Sequence, residues 1–256
     1  DIMTNKWQKG ALVVIYNTPM SYYLAIECST EHASVALQVG TQRIQQPLAS
    51  GYGQSTGILP TIQQLLANAQ INGSQIDGIL VGVGPGALTG LRLAVGVAQG
   101  LCLGWDRPAL PLTSLENLAR QSLTDTAPPT HIASLLDARM GEFYAAHFVT
   151  DALIQHTHAP KYQLLNADGV AKWLASLPSH TRCVGAGWAI WHPTQAQTTT
   201  PLLADAPLFP TADALCRYAA SAPSHAWLTH AADCQPMYVR NEVAHKKVIK
   251  NQHKTP

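Results

Sequence analysis

Gly82-Val83-Gly84-Pro85-Gly86-Ala87-Leu88-Thr89-Gly90-Leu91-Arg92 is the stretch that decides the fold of this chain. Apolar residues over 77–83 predict a strand before it, and residues 88–103 predict a helix after it. The stretch is therefore a strand-to-helix turn, the connection from which α/β proteins are built. Glycines in such a turn permit positive φ and let a second backbone or a phosphate group approach closely.

Three interpretations of these glycines compete. A P-loop is excluded because no Lys-Ser or Lys-Thr follows the last glycine. A dinucleotide fingerprint fits at Gly82, Gly84 and Ala87, but its acidic partner could only be Asp106, where no second strand is evident. A tight turn that binds no ligand is the simplest interpretation of the glycines alone.

The helix that follows the turn is apolar nearly all round, with Arg92 and Gln99 as its only strongly polar residues. A helix of this kind is covered on two sides. Its smooth face consists of glycines at every fourth position: Gly96, Gly100 and Gly104. One side can pack on a sheet, and the other needs a cover. Either a helix predicted over 58–69, with Pro60 in its first turn, or a helix of a partner protein could provide that cover.

The rest of the chain suggests a duplicated layout. Strands over 22–26 and 33–39 predict an opening hairpin, and strands over 132–136 and 143–149 predict a second one after Pro128-Pro129. Shorter signals predict a helix over 114–122, a helix capped by Asn166 and a last helix capped by Thr211. We therefore predict a two-lobed α/β protein, divided into an extension over 1–19, a first lobe over 20–127 and a second lobe with a tail over 128–256.

Composition excludes several classes of protein. The 256 residues are 46% hydrophobic and only 12% charged, with a formal net charge of +1. Disorder needs low hydrophobicity and high net charge, and a protein that holds nucleic acid mainly by its overall field needs a strong positive charge. A surface with so little charge is expected to be covered in part by a partner.

The cysteines and the apolar runs point to a reducing cytoplasm. Five cysteines occur, and no two are spaced as C-x-x-C. A disulfide framework or a structural zinc site is therefore not expected. The longest early apolar run, 11–16, is too short to span a bilayer.

Motifs for independent chemistry are sparse. Asp137, Arg139 and Glu142 could form an acid/base pair with an anion clamp, or an ion pair that stabilises a turn. Cys28 has carboxylates as neighbours, which disfavour the thiolate, so it is interpreted as an inert packing residue. The region from Arg240 to Pro256 carries a local charge of +4. It could be a solvated tail or could touch RNA phosphate.

Five motifs, in the same order along the chain, resemble those of the bacterial TsaB (YeaZ) family over about residues 20–247. They are Ala25-Ile26-Glu27-Cys28-Ser29-Thr30-Glu31-His32-Ala33-Ser34-Val35-Ala36-Leu37, the glycine-rich turn, Asp137-Ala138-Arg139-Met140-Gly141-Glu142-Phe143-Tyr144, Val184-Gly185-Ala186-Gly187-Trp188 and Pro236-Met237-Tyr238-Val239-Arg240-Asn241. The resemblance implies a two-lobed actin/hexokinase/Hsp70-like (ASKHA) α/β fold with a duplicated βββαβα core. It also implies a role in making threonylcarbamoyladenosine beside the anticodon of tRNAs that read codons starting with A.

The resemblance also implies partners and ligands. In that family the paralogue TsaD transfers the threonylcarbamoyl group and holds the metal and nucleotide, TsaE is an ATPase, and TsaB is a noncatalytic scaffold. For this chain the resemblance implies no catalytic residue, no metal and no cofactor of its own, with ATP or ADP confined to the complex. It further implies a heterodimer with TsaD, TsaE in a larger complex, a homodimer when the chain is alone, indirect contact with tRNA, and no membrane.

Two sets of site residues follow from the resemblance. Partner contacts are expected on helices over 57–70 and 88–103, at Ile58, Ile62, Leu65, Leu66, Leu93, Val97, Gly100 and Leu101. Phosphate or motif contacts are expected at Gly84, Pro85, Gly86, Thr89, Gly90, Arg92, Asp137, Arg139 and Glu142.

Two departures from the family pattern favour a partner subunit. Glu27 stands where the family usually has Asp, and its extra methylene would displace any carboxylate contact with a phosphate-bound ion. Residues 51–56 lack the His often found there, and the metal-binding His residues of the catalytic paralogue are missing. The alternatives are a nucleotide-dependent enzyme or peptidase-like protein that uses the cleft between the lobes, and a tRNA-binding module that uses the basic tail.

Overall fold

A computed structural model describes residues 21–49, 51–124, 128–157, 160–191 and 206–239. The predicted extension over 1–19 and the basic tail from Arg240 lie outside these residues. The described residues form two β-sheets with helices on both faces of each. The predicted two-lobed α/β class is confirmed.

The first sheet has five strands in the order β3-β2-β1-β4-β5. They are β1 Tyr22–Glu27, β2 Ser34–Val39, β3 Gln42–Pro47, β4 Gly78–Gly84 and β5 Ala109–Thr113. Strands β1, β2 and β3 are antiparallel, and β4 and β5 continue the sheet parallel to β1. Parallel strands need a crossover, and α1 Tyr52–Asn68 and α2 Leu88–Trp105 provide the two crossovers on one face.

The second sheet repeats this topology with four strands in the order β8-β7-β6-β9. They are β6 His131–Arg139, β7 Glu142–Val149, β8 Gln163–Asn166 and β9 Arg182–Val184. As in the first sheet, two antiparallel pairings precede one strand parallel to the opening strand. The predicted duplication is therefore present in the order and direction of the strands.

Five helices complete the layers: α3 Ser114–Gln121, α4 Thr150–Ile154, α5 Ala167–Ala175, α6 Gly187–Trp191 and α7 Ala212–Ala219. Helices α3 and α7 contact each other between the sheets, where α3 packs on the second sheet and α7 on the first. The predicted caps are both present. The Asn166 side chain accepts a hydrogen bond from the Gly169 N–H (2.8 Å), and Thr211 Oγ1 accepts one from the Ala214 N–H (3.2 Å).

Several strands were not predicted from the sequence, and for the two at the edges of the first sheet, β3 and β5, the physical reason is clear. All six residues of β3 are exposed, so this edge strand has no alternation of apolar and polar residues. Strand β5 contains Pro111, and a proline weakens the strand signal because it has no N–H for the ladder. Because β5 is at the other edge of the sheet, the missing proline N–H costs little there.

Helix α1 begins at Tyr52, six residues before the predicted start, so the prediction that Pro60 lies in the first turn is wrong. Pro60 lies inside the helix and is exposed. Its missing N–H removes one i→i−4 hydrogen bond on the solvent side, where water can bind the freed carbonyl.

The end of the described chain returns to the first sheet. The Ala212 N–H donates to Ser34 Oγ (3.1 Å), and Ala109 and Leu228 exchange both of their backbone hydrogen bonds. The Met237 N–H then donates to the Val83 carbonyl (2.7 Å). The predicted division at residue 128 therefore separates the two sheets along the chain, but residues 212–237 return to the first lobe before Val239 packs on the second.

Candidate functional site

The predicted site residues lie in two regions of the structure. One is the cleft between the two sheets, bounded by the β1–β2 turn, the glycine-rich turn and the β6–β7 turn. It contains a cavity of about 120 Å³. The other is the exposed side of helices α1 and α2, which we call the α1–α2 surface.

The cleft brings together only part of the predicted phosphate contacts. Its cavity is lined by residues that include Ser29, Gly86, Ala87, Asp137 and Arg139. The other predicted contacts lie outside that lining: Gly84, Pro85, Thr89, Gly90, Arg92 and Glu142. The cleft therefore offers a small, mostly apolar cavity rather than a complete nucleotide cradle.

Three glycines of the turn are needed for close packing, two of them against backbone carbonyls and one against a side chain. A Cβ atom on Gly82 would collide with the Glu27 carboxylate, one on Gly86 with the Ser29 carbonyl, and one on Gly90 with the Cys28 carbonyl. The Ala87 N–H donates to that same Ser29 carbonyl (2.8 Å). The interpretation as a tight turn that binds no ligand therefore accounts for these glycines.

Glu27, at the end of β1 beside the cleft, has the most unusual environment among the ionisable residues there. It is fully buried, and its Oε1 accepts a hydrogen bond from the Ser29 N–H (2.8 Å). Its Oε2 has no hydrogen-bond partner in the described structure. Burial raises the pKa of this carboxyl above its ordinary value of 4.5, and the hydrogen bonds from Ser29 offset this only in part. Glu27 is therefore folded back into the core and does not face the cavity as a ligand.

We expect Glu27→Gln to remove a pH dependence of stability. Above pH 4.5 the unfolded chain releases the Glu27 proton while the folded chain retains it, so the wild type loses stability until the raised pKa is passed. The loss approaches about 1.4 kcal/mol for each pH unit within that window. Urea unfolding at pH 4, 6 and 8 should show that the free energy of unfolding of the variant, relative to that of the wild type, increases as pH rises. A constant difference between the two proteins would contradict the raised pKa.

The Ser29 side chain is the one feature of the cleft that points to an anion. Its hydroxyl is buried beside the Glu27 carboxyl, whose pKa it helps to lower, and it lines the cavity next to Ala87, the N-cap residue of α2, which makes no side-chain cap. Hydroxyls and helix N-termini both favour anions. Asp137 and Glu31 line the same cavity and oppose one.

Arg139 forms ion pairs in the cleft. Its guanidinium contacts Asp137 at 2.9 Å on its own turn and Glu31 at 3.5 Å on the opposite lobe. Its backbone N–H also donates to Asp137 Oδ1 (2.8 Å). These contacts support the interpretation of this motif as a turn-stabilising ion pair, because the guanidinium already has two carboxylates as partners.

The described residues give little support for a nucleophilic or metal-dependent reaction in the cleft. Cys28 is buried, and burial together with Glu27 raises its pKa to about 12, which suppresses the thiolate. All five cysteines are free and buried. Among the residues that the structure describes, no group of three His, Cys, Asp or Glu side chains could hold a metal ion.

The outer side of helix α2 carries an exposed strip made of three glycines and one leucine. Gly96, Gly100 and Gly104 are exposed, and a Cβ atom on any of them would meet nothing within 4 Å. Leu103 lies on the same strip with 81% of its side chain exposed. A groove of about 610 Å³ runs between this strip and residues 229–232. The predicted contact Gly100 therefore lies on a surface that a second helix could approach closely.

The predicted contacts on α1 require a correction. Ile58, Ile62, Leu65 and Leu66 are at most 9% exposed and pack in the core beneath the helix. They cannot contact a partner, because the apolar face of an amphipathic helix turns toward its own sheet. The outer face of α1 instead carries Leu59 (49% exposed), glutamines and other uncharged residues.

The other predicted contacts on α2 have an intermediate position. Leu93, Val97 and Leu101 are partly buried and pack against the same core at the margin of the strip. Sequence reasoning missed Leu59 and Leu103 as surface residues. Helical phase could have found Leu103, since it lies seven residues after Gly96 and three after Gly100, on the same side of the helix.

Helix α2 is long and apolar enough to cross a membrane by those two criteria alone. Its buried residues, which include Leu91, Ala94, Val95 and Ala98, pack against the first sheet. A core helix passes the same test, so the apolar character has a structural explanation within the fold.

Comparisons with known proteins agree with this architecture. The family model of TsaD, tRNA N6-adenosine threonylcarbamoyltransferase, matches residues 52–201. The structure of YeaZ from Pseudomonas aeruginosa superposes with a TM-score of 0.71 and 29% identity over 86% of this chain and 100% of that chain. A protein described as similar to peptidase YEAZ from Pseudomonas aeruginosa gives 0.72 and 31% over the same shares. The fold and the site thus define a two-lobed actin/hexokinase/Hsp70-like protein.

Curated relatives identify the family. TsaB of Escherichia coli K12, a tRNA threonylcarbamoyladenosine biosynthesis protein, is 30% identical over 227 residues, which are 88% of this chain and 97% of that protein. TsaB of Haemophilus influenzae is 29% identical over 233 residues, covering 88% and 96%. The chain belongs to the TsaB (YeaZ) family of tRNA threonylcarbamoyladenosine biosynthesis proteins.

Proposed function

We propose that this chain is a noncatalytic subunit of the tRNA threonylcarbamoyl transfer machinery, and that it binds and activates the transferase paralogue TsaD. The contact is made by the α1–α2 surface, with the strip Gly96, Gly100, Leu103 and Gly104 at its centre. The proposal extends to a homodimer through the same surface when TsaD is absent, because exposed apolar helices associate.

One observation carries this proposal. Helices α1 and α2 contain 17 and 18 residues, and Arg92 is the only charged residue in either of them. Exposed helix faces of soluble proteins normally carry many charges, and depletion of charge is characteristic of the centre of an interface. Glycines that meet nothing within 4 Å let the backbone of a second helix approach closely.

The cleft supports the noncatalytic part of the proposal. Glu27 is buried, Cys28 is protonated, and Arg139 is paired with carboxylates. These residues provide neither a nucleophile with its base nor a set of metal ligands. ATP or ADP would act in the assembled complex, TsaE would join that complex, tRNA would be contacted through TsaD, and the setting would be the cytoplasm.

Reconstitution tests the proposal. Purified TsaD, TsaE and the enzyme that supplies the activated threonylcarbamoyl group should modify tRNA only slowly without this chain and at least tenfold faster with it. Formation of threonylcarbamoyladenosine is measured by mass spectrometry of digested tRNA. An unchanged rate would contradict the proposal. Hydrolysis of ATP or of a peptide by the isolated chain, lost in Ser29→Ala, would support the alternative of a cleft enzyme instead.

A further inference from the structure

Arg92 is an isolated charge on the α1–α2 surface. Neither α1 nor α2 contains Asp, Glu or Lys, so nothing on the two helices themselves can balance the guanidinium. The side chain is exposed, and its Nε donates a hydrogen bond to the Tyr238 hydroxyl (3.3 Å). Within the described ranges no carboxylate forms an ion pair with it.

The position of Arg92 gives no stability to its own helix. It is the fifth residue of α2, close to the helix N-terminus, and the first turn contains no acidic residue. Cations near a helix N-terminus oppose the helix dipole by a few tenths of a kcal/mol. Neither the helix dipole nor an ion pair within the described residues explains a cation at this point.

Binding of a partner to the α1–α2 surface gives the Arg92 charge a role. When a surface is covered by a partner, a charge that lacks a counterpart loses its hydration without compensation. A guanidinium is best satisfied by a carboxylate, which it binds through two parallel N–H···O hydrogen bonds. A partner that covers the α1–α2 surface therefore needs an acidic side chain opposite Arg92.

We infer that the partner contacts this surface with an apolar helix that carries one Asp or Glu facing Arg92, and that this ion pair favours the partner over a second copy of this chain. The inference rests on the proposed function. A second copy offers no carboxylate on either helix. The nearest acid along α2 is Asp106, just after its far end, roughly 21 Å away along the helix axis. Self-association can therefore pair Arg92 only with an acid beside the helices, such as Asp106 or the exposed Asp233 in the turn that packs against α2.

Arg92→Gln and Arg92→Glu test the inference with two measurements on the full chain. Affinity for the transferase is measured by calorimetry, and self-association by sedimentation. We expect Arg92→Gln to weaken transferase binding about tenfold and Arg92→Glu to weaken it further, because like charges then face each other. Self-association of Arg92→Gln should stay unchanged or become tighter. Lys172→Gln, an exposed charge on α5 of the other lobe, is the matched control and should alter neither measurement.

Ionic strength gives an independent readout. Transferase binding by the wild type should weaken between about 50 and 500 mM salt, since salt screens the attraction between the two charges before they meet. Binding by Arg92→Gln should depend much less on salt. A merely structural role for Arg92 would lower affinity in the variant without changing this dependence.

Several results would overturn the inference. One is transferase binding by Arg92→Gln with wild-type affinity and salt dependence. Another is weakened self-association of Arg92→Gln that Asp106→Asn reproduces, which would show that a second copy pairs with Arg92. A third is loss of tRNA affinity without loss of transferase affinity, which would assign the guanidinium to phosphate. If the wild type binds the transferase but the Arg92 variants behave as it does, only this inference fails. If the wild type does not bind the transferase at all, the proposed function fails as well.

Discussion

Gly100→Arg should abolish binding to the transferase while leaving the fold intact. The new side chain starts from a Cβ position with nothing within 4 Å, so it fits the isolated protein. Replacing a helical glycine also raises helix propensity, which adds up to about 1 kcal/mol of stability. In the complex, however, the arginine would hold the two helices apart and bury an unpaired charge. We expect at least a hundredfold loss of affinity, or about 2.7 kcal/mol, and a matching loss of tRNA modification.

Ala175→Arg is the matched control for this experiment. Ala175 is a small, exposed residue at the end of α5, on the lobe opposite the α1–α2 surface. It should leave both affinity and modification unchanged. Co-elution of Gly100→Arg with the transferase at wild-type yield would show that the partner binds elsewhere on the molecule.

Gly82→Ala should destabilise the protein by about 3 kcal/mol or more. Gly82 is buried in β4, and a methyl group there would occupy the space of the Glu27 carboxylate. Glu27 is fully buried, and moving it would break its hydrogen bond with the Ser29 N–H. Overpacking of this kind costs about 1–3 kcal/mol, and the lost hydrogen bond adds to that cost. Urea unfolding monitored by tryptophan fluorescence measures the difference.

A second variant shows whether the collision is the cause. In Glu27→Ala the carboxylate is gone, so adding Gly82→Ala to it should cost at least about 1 kcal/mol less than adding it to the wild type. Gly96→Ala, on the open strip of α2, should not destabilise the protein. Equal costs of Gly82→Ala with and without Glu27 would mean that the strand itself, and not the carboxylate, requires the glycine.

Local pattern was enough to predict much of the fold. The hairpin of β1 and β2, the turn between β4 and α2, and the caps Asn166 and Thr211 each depend on residues close together in sequence. The edge strands β3 and β5 could not be predicted this way. Their pairing is decided by the neighbouring strand and their exposure by their place at the sheet edge, and neither leaves a periodic signal in the strand itself.

Site residues could be predicted from the sequence only where the pattern shows directly which side chains the fold buries. Helix α2 is apolar on every side, so an outer face that needs a cover was a sound expectation. Helix α1 has one apolar face, and that face was assigned to a partner although its own sheet covers it. The isolated Glu27 carboxyl could not be foreseen, because a Glu in a polar turn normally reaches water. Only the close approach of Gly82 shows why this one does not.

The return of the chain to the first sheet has a consequence for biosynthesis. Strand β5 receives its last backbone partner, Leu228, and the inner face of the first sheet receives α7, only after most of the protein has left the ribosome. The Gln99 side chain of α2 likewise donates to the Cys234 carbonyl (2.8 Å), near the end of the described residues. The amino-terminal lobe therefore lacks these contacts until the residues up to 234 have been synthesised. Until then, the nascent chain exposes to chaperones the sheet face that α7 will cover, while α1 and α2 can already cover the other face. A partner meets the complete groove beside α2 only afterwards.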